Sequence, residues 1–231
     1  MRPAGVSGGR HNNPSSQSAP SSCRSAQQRP TLSRVDLLPL VFTAGWASGI
    51  NAYAVVLVMG LFGRFAGVDA VPVGLTHTDV LVAAAGMYAI EFVTDKIPYV
   101  DSGWDVISTA IRPTVGAIIG LLVGGDASNL HQALYAVAGG GSALASHLVK
   151  AGLRLAVNAS PEPVTNVTVS LGEDVTVAGV IMLALWHPLV ALGVAAALFV
   201  AGVILVVALL RWVRRGLRRW EARRAARVSS R

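Results

Sequence analysis

The chain of 231 residues is 53% hydrophobic and only 13% charged, with a mean hydropathy of +0.56 and a net charge of +7. Soluble domains carry about 25% charged residues, so this composition excludes an ordinary soluble domain and favours a polytopic membrane protein. The single cysteine, Cys23, excludes an intramolecular disulfide, and no Cys/His cluster has zinc spacing. Of the nineteen Lys and Arg residues, five lie in residues 1–34 and nine in residues 211–231. Basic tails flanking apolar segments orient membrane proteins, so we do not expect nucleic acid as a partner.

Residues 1–34 form a polar N-terminal tail that is rich in Ser, Pro, Gly and Gln and contains no acidic residue. Such a segment cannot bury a core, so we predict a disordered basic tail. An organelle transit peptide is the alternative, but the tail lacks amphipathic periodicity, and we favour a cytosolic tail.

Residues 35–210 are predicted to form an all-α, polytopic membrane domain with about six apolar segments. The run 35–63, which is interrupted by glycines and by Asn51, is long enough to span, and a second apolar run covers 80–94. A long run follows at 131–157, and 188–210 is expected to be a full span. Two other runs, 113–124 and 175–186, are short. Each would reach about 18 Å across a hydrocarbon core of roughly 30 Å, so we expect short or re-entrant helices unless residues 104–112 extend the first of them.

The order of a long span, a polar loop with proline and a short apolar helix occurs twice, which suggests an internal duplication. Ala44-Gly45-x-x-Ser48 resembles Ala138-Gly139-x-x-Ser142, and Pro98-x-x-Asp101 resembles Pro163-x-x-Asn166. Paired broken segments in two halves indicate a transporter-like binding site. Chance recurrence of small residues in alanine-rich spans is the alternative.

The charges also predict an orientation in a cytoplasmic (inner) membrane. With both Arg-rich termini in the cytoplasm and an even number of spans, loops 95–112 and 158–174 face the cytoplasm. The expected outer loops, 65–79, 125–130 and 187–188, carry no Lys or Arg, and Arg64 is the exception.

A polar stripe is predicted on the helix over 131–157. His147, Lys150, Arg154 and Asn158 are spaced three, four and four residues apart, which places them on one helical face. The stripe could bind an anion, or it could pair with the carboxylates of the polar segment 91–105. Snorkelling to the interface explains Arg154 well, Lys150 in part and His147 poorly.

The segment from Glu91 to Arg112 concentrates acidic residues between two apolar runs. Glu91 and Asp95 share one face of a helix, as do Asp101, Asp105, Ser108 and Arg112. These carboxylates could hold Mg²⁺ or carry protons, or they could cap and pair locally in a solvated loop. Glu91 is the first candidate, because it lies inside an apolar run.

The second polar segment, 158–174, carries a further acidic pair. Ser170-x-x-Glu173 matches a capping box that would begin a helix, and helix starts at both short segments would favour anions. The full set of ligand- or ion-binding candidates is Asn51, Glu91, Asp95, Lys96, Asp101, Asp105, Arg112, His147, Lys150, Arg154, Asn158, Glu162, Asn166, Glu173 and Asp174. No metal-ligand set, cofactor or catalytic residue is assigned.

Residues 211–231 read RWVRRGLRRWEARRAARVSSR. We predict an interfacial Arg-rich helix or tail that is attracted to anionic lipids by about 1 kcal/mol per arginine. The lipid bilayer is therefore the expected partner, and a homo-oligomer is left open.

At these motifs the chain resembles the family of integral membrane proteins known as domain of unknown function 4126. The resemblance covers residues 36–210 and rests on Gly49-Ile-Asn51-Ala-Tyr53, Glu91-Phe-Val-x-Asp95-Lys96-Ile-Pro98-x-Val-Asp101-Ser102-x-Trp104-Asp105, Ile111-Arg112-Pro113-x-x-Gly116, His147-x-x-Lys150-Ala, Arg154, Asn158-x-Ser160-Pro161-Glu162-Pro163-x-x-Asn166 and Ser170-x-x-Glu173-Asp174. Ser108-Thr109 departs from the expected His-Thr. The resemblance implies that the polar segments are the family's signature, and it supplies no reaction or substrate.

Three hypotheses of function follow. The leading one is a small transporter or channel with a polar intramembrane site for an anionic or proton-coupled solute. The second is a membrane enzyme acting on a lipid headgroup or lipid phosphate through metal-assisted chemistry, although no known phosphatase or phosphotransferase motif is present. The third is a non-catalytic scaffold whose charges pair across helices. The sequence inclines against an enzyme.

Overall fold

A computed structural model describes residues 34–97, 100–125, 127–158 and 163–229, and these residues form helices without any strand. The seven α-helices are α1 Arg34–Ile50, α2 Ala52–Phe65, α3 Thr78–Thr94, α4 Val100–Gly124, α5 Asn129–Asn158, α6 Pro163–Trp186 and α7 Pro188–Ser229. A short 3₁₀ helix, Val73–Thr76, precedes α3. The predicted all-α fold is confirmed, whereas the predicted disorder of the N-terminal tail concerns residues outside the described part.

Three helical stretches are long and apolar enough to cross a membrane: Gly103–Gly124, Val167–Trp186 and Pro188–Trp212. Their large apolar side chains face outward in many places, as Leu189, Val200 and Leu205 of α7 show by being at least half exposed. An apolar surface of this extent suits lipid rather than water, so the fold is that of a membrane protein.

The central helix α5 fixes the directions of its neighbours. α4 ends at Gly124 and α5 begins at Asn129. We call the end of the bundle where these two helix ends lie the upper end, and the opposite end the lower end. Gly152 of α5 lies against Val206 of α7, and Val149 lies against Gly202, so α7 runs parallel to α5 and ends at the lower end. Since only His187 separates α6 from α7, α6 finishes at the upper end.

The first apolar run is divided at Asn51 into two helices that are too short to span. α1 has 17 residues and α2 has 14, about 25 Å and 21 Å of helix against a core of roughly 30 Å. The backbone of Asn51 is extended, and its side-chain oxygen accepts a hydrogen bond from the N–H of Ala54, so Asn51 ends α1 and caps α2.

The two short helices enter and leave the bundle at the same end. α1 runs parallel to α5, because α5 side chains donate to its carbonyls at a constant offset of 100 residues: Ser142 to Phe42, Ser146 to Trp46 and Lys150 to Ile50. α2 returns to the upper end, where the ring of Phe62 packs edge-on against Trp186. We call this pair the re-entrant hairpin, with its tip at Asn51.

The arrangement differs from the expected one with both termini on one side. α1 begins at the upper end and α7 ends at the lower end, because the re-entrant hairpin is followed by five helices that alternate in direction. The sequence did contain the break at Asn51, but a long apolar run with one polar residue does not show whether the chain continues or turns back.

The helices that are too short to span, α1 and α2, are also not the two that were predicted to be short from the sequence. The runs 113–124 and 175–186 are the second halves of α4 and α6, which have 25 and 24 residues. The polar segments expected as loops are largely helical: Pro113 lies inside α4, and Ser170 and Glu173 lie inside α6 rather than in a capping box. Their charged side chains are compatible with helix in the bundle because partners on other helices satisfy them.

Small residues allow α1, α4 and α5 to approach closely. Gly139 of α5 lies against the backbone of Gly116 in α4 and of Gly45 in α1, with no room for a Cβ atom at any of the three positions. Such contacts are the usual means by which membrane helices pack. Gly45 and Gly139 are the equivalent glycines of the proposed duplication, which stays a prediction.

Candidate functional site

Arg112 of α4 joins four helices at the tip of the re-entrant hairpin. Its Nη2 lies 2.5 Å from Glu91 Oε1 of α3, and its Nη1 lies 3.2 Å from Asp105 Oδ1 and 2.7 Å from His147 Nδ1 of α5. The same Nη1 reaches the carbonyl of Gly49 at 3.4 Å. The guanidinium is 1% exposed and Glu91 is fully buried. The buried arginine therefore connects these helices, and removing it would leave the carboxylates of Glu91 and Asp105 without their counter-charge.

The contacts of His147 fix which of its nitrogens carries the proton. Arginine can only donate, so Nδ1 accepts from Arg112, and the ring proton lies on Nε2. Nε2 then donates to the hydroxyl of Thr109 at 2.9 Å, and that hydroxyl donates to the carbonyl of Asp105 at 2.9 Å. His147 is therefore a neutral relay between the guanidinium and the backbone of α4.

Lys150 and Arg154 form a second layer of ion pairs, one and two turns further along α5. The Lys150 ammonium contacts Asp95 Oδ2 at 2.8 Å, Glu173 Oε2 at 3.3 Å and the carbonyl of Ile50 at 2.9 Å. Arg154 contacts the same Asp95 oxygen at 3.3 Å and the same Glu173 oxygen at 2.7 Å. It also donates to the carbonyl of Asp95, which caps α3. This layer ties α1, α3, α5 and α6 together.

Both broken ends of the re-entrant hairpin meet charges of the favourable sign. The last carbonyls of α1, at Gly49 and Ile50, accept from Arg112 and Lys150, which places cations at the negative end of the helix dipole. At the start of α2, the Asn51 amide donates to Asp174 Oδ1 at 3.1 Å, which places a carboxylate near the positive end. The hairpin tip is thus an integral part of the charged region.

We define the ionic cluster as Glu91, Asp95, Asp105, Arg112, His147, Lys150, Arg154 and Glu173, with Asn51 and Asp174 at its edge. Several of its polar atoms are buried without a hydrogen-bond partner in the described part of the chain, among them the carboxylate oxygens Glu91 Oε2, Asp174 Oδ2 and Asp105 Oδ1, the last of which forms only the 3.2 Å ion pair with Arg112. An unsatisfied carboxylate oxygen in a membrane interior is costly, so each of these oxygens is a position for a proton, a water molecule or a ligand.

The structure gathers most of the sequence-predicted candidates into this one region. Asn51, Glu91, Asp95, Asp105, Arg112, His147, Lys150, Arg154, Glu173 and Asp174 all belong to it or touch it. Lys96 lies at its margin, where its ammonium donates to the carbonyl of Phe92 and reaches Ser170 Oγ at 3.5 Å. The side chains of Asp101, Asn158, Glu162 and Asn166 fall outside the described ones, so their role stays a prediction.

Several groups that contact the ionic cluster were not predicted from the sequence. Thr109 completes the His147 relay, and the carbonyls of Gly49 and Ile50 accept from the two central cations. The departure from the expected His-Thr at 108–109 drew attention to this spot but assigned it no role. Backbone acceptors at a helix break leave no residue-type signal, although the Gly-Ile-Asn break itself was visible.

The carboxylates are occupied by cations of the protein itself. Among the described residues, no group of three or more His, Cys, Asp or Glu side chains is arranged to hold a metal ion. Glu91 and Asp105 pair with Arg112, and Asp95 and Glu173 pair with Lys150 and Arg154. A site for an anion would need cations that are not already paired, and a site for Mg²⁺ would need carboxylates that are not already paired. Both alternatives are therefore less favoured by this arrangement.

Fold and site together define an all-α membrane protein with a buried ionic cluster at the tip of a re-entrant hairpin. The sequence model of the family described as Domain of unknown function (DUF4126) matches residues 38–208. The chain belongs to this family, as its motifs indicated. No curated protein and no solved structure matches it.

Proposed function

We propose that the protein is a proton-coupled membrane transporter whose coupling site is the ionic cluster. The observation that carries the proposal is the re-entrant hairpin, which brings two half-helix ends into a buried site of ionisable groups. Discontinuous helices whose ends point at the substrate and ion sites are the recurring design of secondary transporters.

The charge balance of the cluster favours protons over an anionic solute. Its cations are Arg112, Lys150 and Arg154, whereas its carboxylates are Glu91, Asp95, Asp105, Glu173 and Asp174. With Lys96 at the margin, which acts on Asp95 and Asp174, four positive charges face five acidic groups, so a fully ionised cluster still carries an excess of negative charge in a medium of low dielectric constant. Protons are the smallest cations that remove such an excess.

Glu91 is the proposed carrier of the coupling proton. Its Oε1 accepts from Arg112 and its Oε2 has no partner among the described residues. The other charged groups that act on it are Lys150 and Asp95, and Tyr53 of α2 also faces it. A proton on Glu91 removes the charge that holds Arg112 Nη2, which frees the guanidinium from α3 while it still holds the end of α1.

The release of Arg112 from Glu91 would couple protonation to a movement of the re-entrant hairpin. Arg112 and Lys150 bind the last carbonyls of α1, so any change in their carboxylate partners is felt at the hairpin tip. Two alternative pairings of the same charges would make the tip a two-state element, which is what alternating access requires.

Transport can be tested before the solute is identified. Proteoliposomes with a trapped pH indicator would be challenged with a panel of solutes under an imposed pH gradient. We expect solute-dependent proton movement with the wild-type protein and a loss of at least tenfold with Glu91→Gln, whose thermal stability should show that it is folded. Equal proton movement in wild-type and Glu91→Gln liposomes across the panel would contradict the proposal and favour a scaffold.

The proposed orientation places the lower end in the cytoplasm of a cell with an inner membrane. This orientation puts the nine arginines of residues 211–231 and Lys96 on the cytoplasmic side and the five arginines of residues 1–34 with Arg64 on the other, so the cytoplasmic side keeps the excess of basic residues. The chain then enters α1 from outside.

A membrane-impermeant maleimide applied to intact cells tests this orientation. It should label the native Cys23, which precedes α1, and should leave Ser230→Cys unlabelled in a Cys23→Ser background. If neither Cys23 nor the cysteine at position 230 is labelled, the result would contradict this orientation and support the arrangement with both termini in the cytoplasm.

A further inference from the structure

A cavity of about 320 Å³ adjoins the ionic cluster between α1, α5, α6 and α7. Most of its wall is apolar and includes Val149, Leu153, Val169, Leu198 and Phe199. Its polar wall consists of Lys150 and Glu173, with Ser146, Thr176 and Trp46. This volume lies at the lower end of the range of roughly 300–1,000 Å³ for small-molecule sites, and the division into an apolar body and a polar part suits one small amphipathic molecule.

Trp46, in the wall of the cavity, carries a hydrogen-bond donor that has no acceptor among the described residues. The indole is only 4% exposed, and within the described part of the chain its Nε1–H has no acceptor. Buried indole groups normally find a partner, so an unpaired one in the wall of a cavity points to an acceptor on a bound molecule.

Glu173 gives the cavity an unused acceptor. Its Oε2 already receives Lys150 and Arg154, whereas its Oε1 receives no hydrogen bond from any described residue. The charge of Lys150, by contrast, is already paired: the ammonium donates hydrogen bonds to the carbonyl of Ile50 and to Asp95, and it forms an ion pair with Glu173 at 3.3 Å.

The indole N–H of Trp46 and Oε1 of Glu173 determine which polar group of a bound amphipathic molecule the cavity can accept. A carboxylate or phosphate would meet the charge of Glu173 and find no free cation. An ammonium would leave the indole donor unpaired and would lie beside Lys150. A hydroxyl both donates and accepts, and it adds no charge where Lys150 and Arg154 already balance Asp95 and Glu173.

We propose that this cavity binds a small uncharged amphipathic alcohol, with its hydroxyl between Trp46 and Glu173 and its apolar chain along α5, α6 and α7. If the protein is the transporter proposed above, such an alcohol is its substrate class, and in that respect the inference rests on the proposed function. Binding itself does not depend on transport.

The test compares decan-1-ol, decanoate and decylammonium, which share one chain and differ in the head. Thermal unfolding in nanodiscs would be followed at equal bilayer mole fractions of the three probes. Gly172→Leu fills the cavity, because Gly172 lines it and a Cβ there meets open space. Gly179→Leu, about two turns further along α6 and equally open, is the matched control outside the cavity.

We expect decan-1-ol to raise the unfolding midpoint of the wild type and of Gly179→Leu but not of Gly172→Leu. Trp46→Phe should weaken decan-1-ol binding about fivefold, since it removes one hydrogen bond. Decanoate and decylammonium should give the same small shift in every variant.

Two results would overturn the inference: an equal decan-1-ol shift in Gly172→Leu and Gly179→Leu, or a cavity-dependent shift that is larger for decanoate or decylammonium. If Gly172→Leu does not fold, unchanged decan-1-ol binding in Trp46→Phe overturns it. If decan-1-ol binds as expected but Glu91→Gln does not change proton movement, the proposal of an alcohol-binding cavity is supported and the proposal of a transporter is contradicted.

Discussion

Arg112→Met is expected to be the most destabilising single substitution in the charged region, with a loss of about 3–5 kcal/mol in the free energy of unfolding. Methionine fills much of the same volume but removes the partner of Glu91 and Asp105, and it takes the donor from His147 and from the end of α1. Glu91 is fully buried, so it has no access to water that could replace the lost contact. Reversible unfolding in mixed micelles would measure the loss.

The matched test is the double variant Glu91→Gln, Arg112→Met. If the cost of Arg112→Met comes from the stranded carboxylate, the neutral amide should recover a substantial part of the stability, and the two substitutions should be strongly non-additive. A double variant that is less stable than Arg112→Met by the full cost of Glu91→Gln alone would show that the pair contributes little and that packing explains the loss.

Lys150→Met is expected to cause the second largest loss, and this loss should depend on pH. Without the ammonium, Asp95 and Glu173 share only Arg154, and the carbonyl of Ile50 loses its donor. The deficit relative to wild type should be about 3–5 kcal/mol near neutral pH. It should shrink as the pH falls, because a protonated carboxyl group no longer needs a counter-charge.

Arg64→Met provides the control for Lys150→Met. Arg64 lies near the end of α2 and makes an exposed hydrogen bond with Thr78, so its loss should change stability by less than about 1 kcal/mol at any pH. A Lys150→Met deficit that stays constant from neutral to acid pH would mean that no stranded carboxylate is responsible.

The membrane fold could be predicted because it depends on local properties of the sequence. Apolar runs, their lengths and the basic tails predict an all-α membrane domain, and a helical period of three to four residues placed His147, Lys150 and Arg154 on one face of α5. Residues on one helix keep their spacing whatever the rest of the chain does, so such predictions survive folding.

The polar segments were harder to predict because their conformation depends on partners far along the chain. A local pair of Asp105 and Arg112 in a solvated loop was one of the two alternatives. The two side chains do pair at 3.2 Å, but they lie on the helix α4, where Glu91 and His147 also contact the guanidinium. Glu173 read as a cap, yet it lies inside α6, where Lys150 and Arg154 reach it. The cavity beside Trp46 produces no recognisable sequence pattern, because its apolar lining comes from four helices and resembles that of any core.

The direction of the re-entrant hairpin depends on contacts of the same kind. Asn51 marked a break, but only the parallel contacts of α1 with α5 and the return of α2 to Trp186 show that the chain turns back. A local sequence pattern cannot distinguish a kinked span from two half-spans of similar length.

The central claim is that Glu91 exchanges a proton inside the membrane domain, and infrared difference spectroscopy as a function of pH tests it without a known solute. We predict a carbonyl stretching band of a buried protonated carboxyl group that titrates in the wild-type protein and is absent in Glu91→Gln. Difference spectra that are the same for wild type and Glu91→Gln over the whole stable pH range would contradict the account.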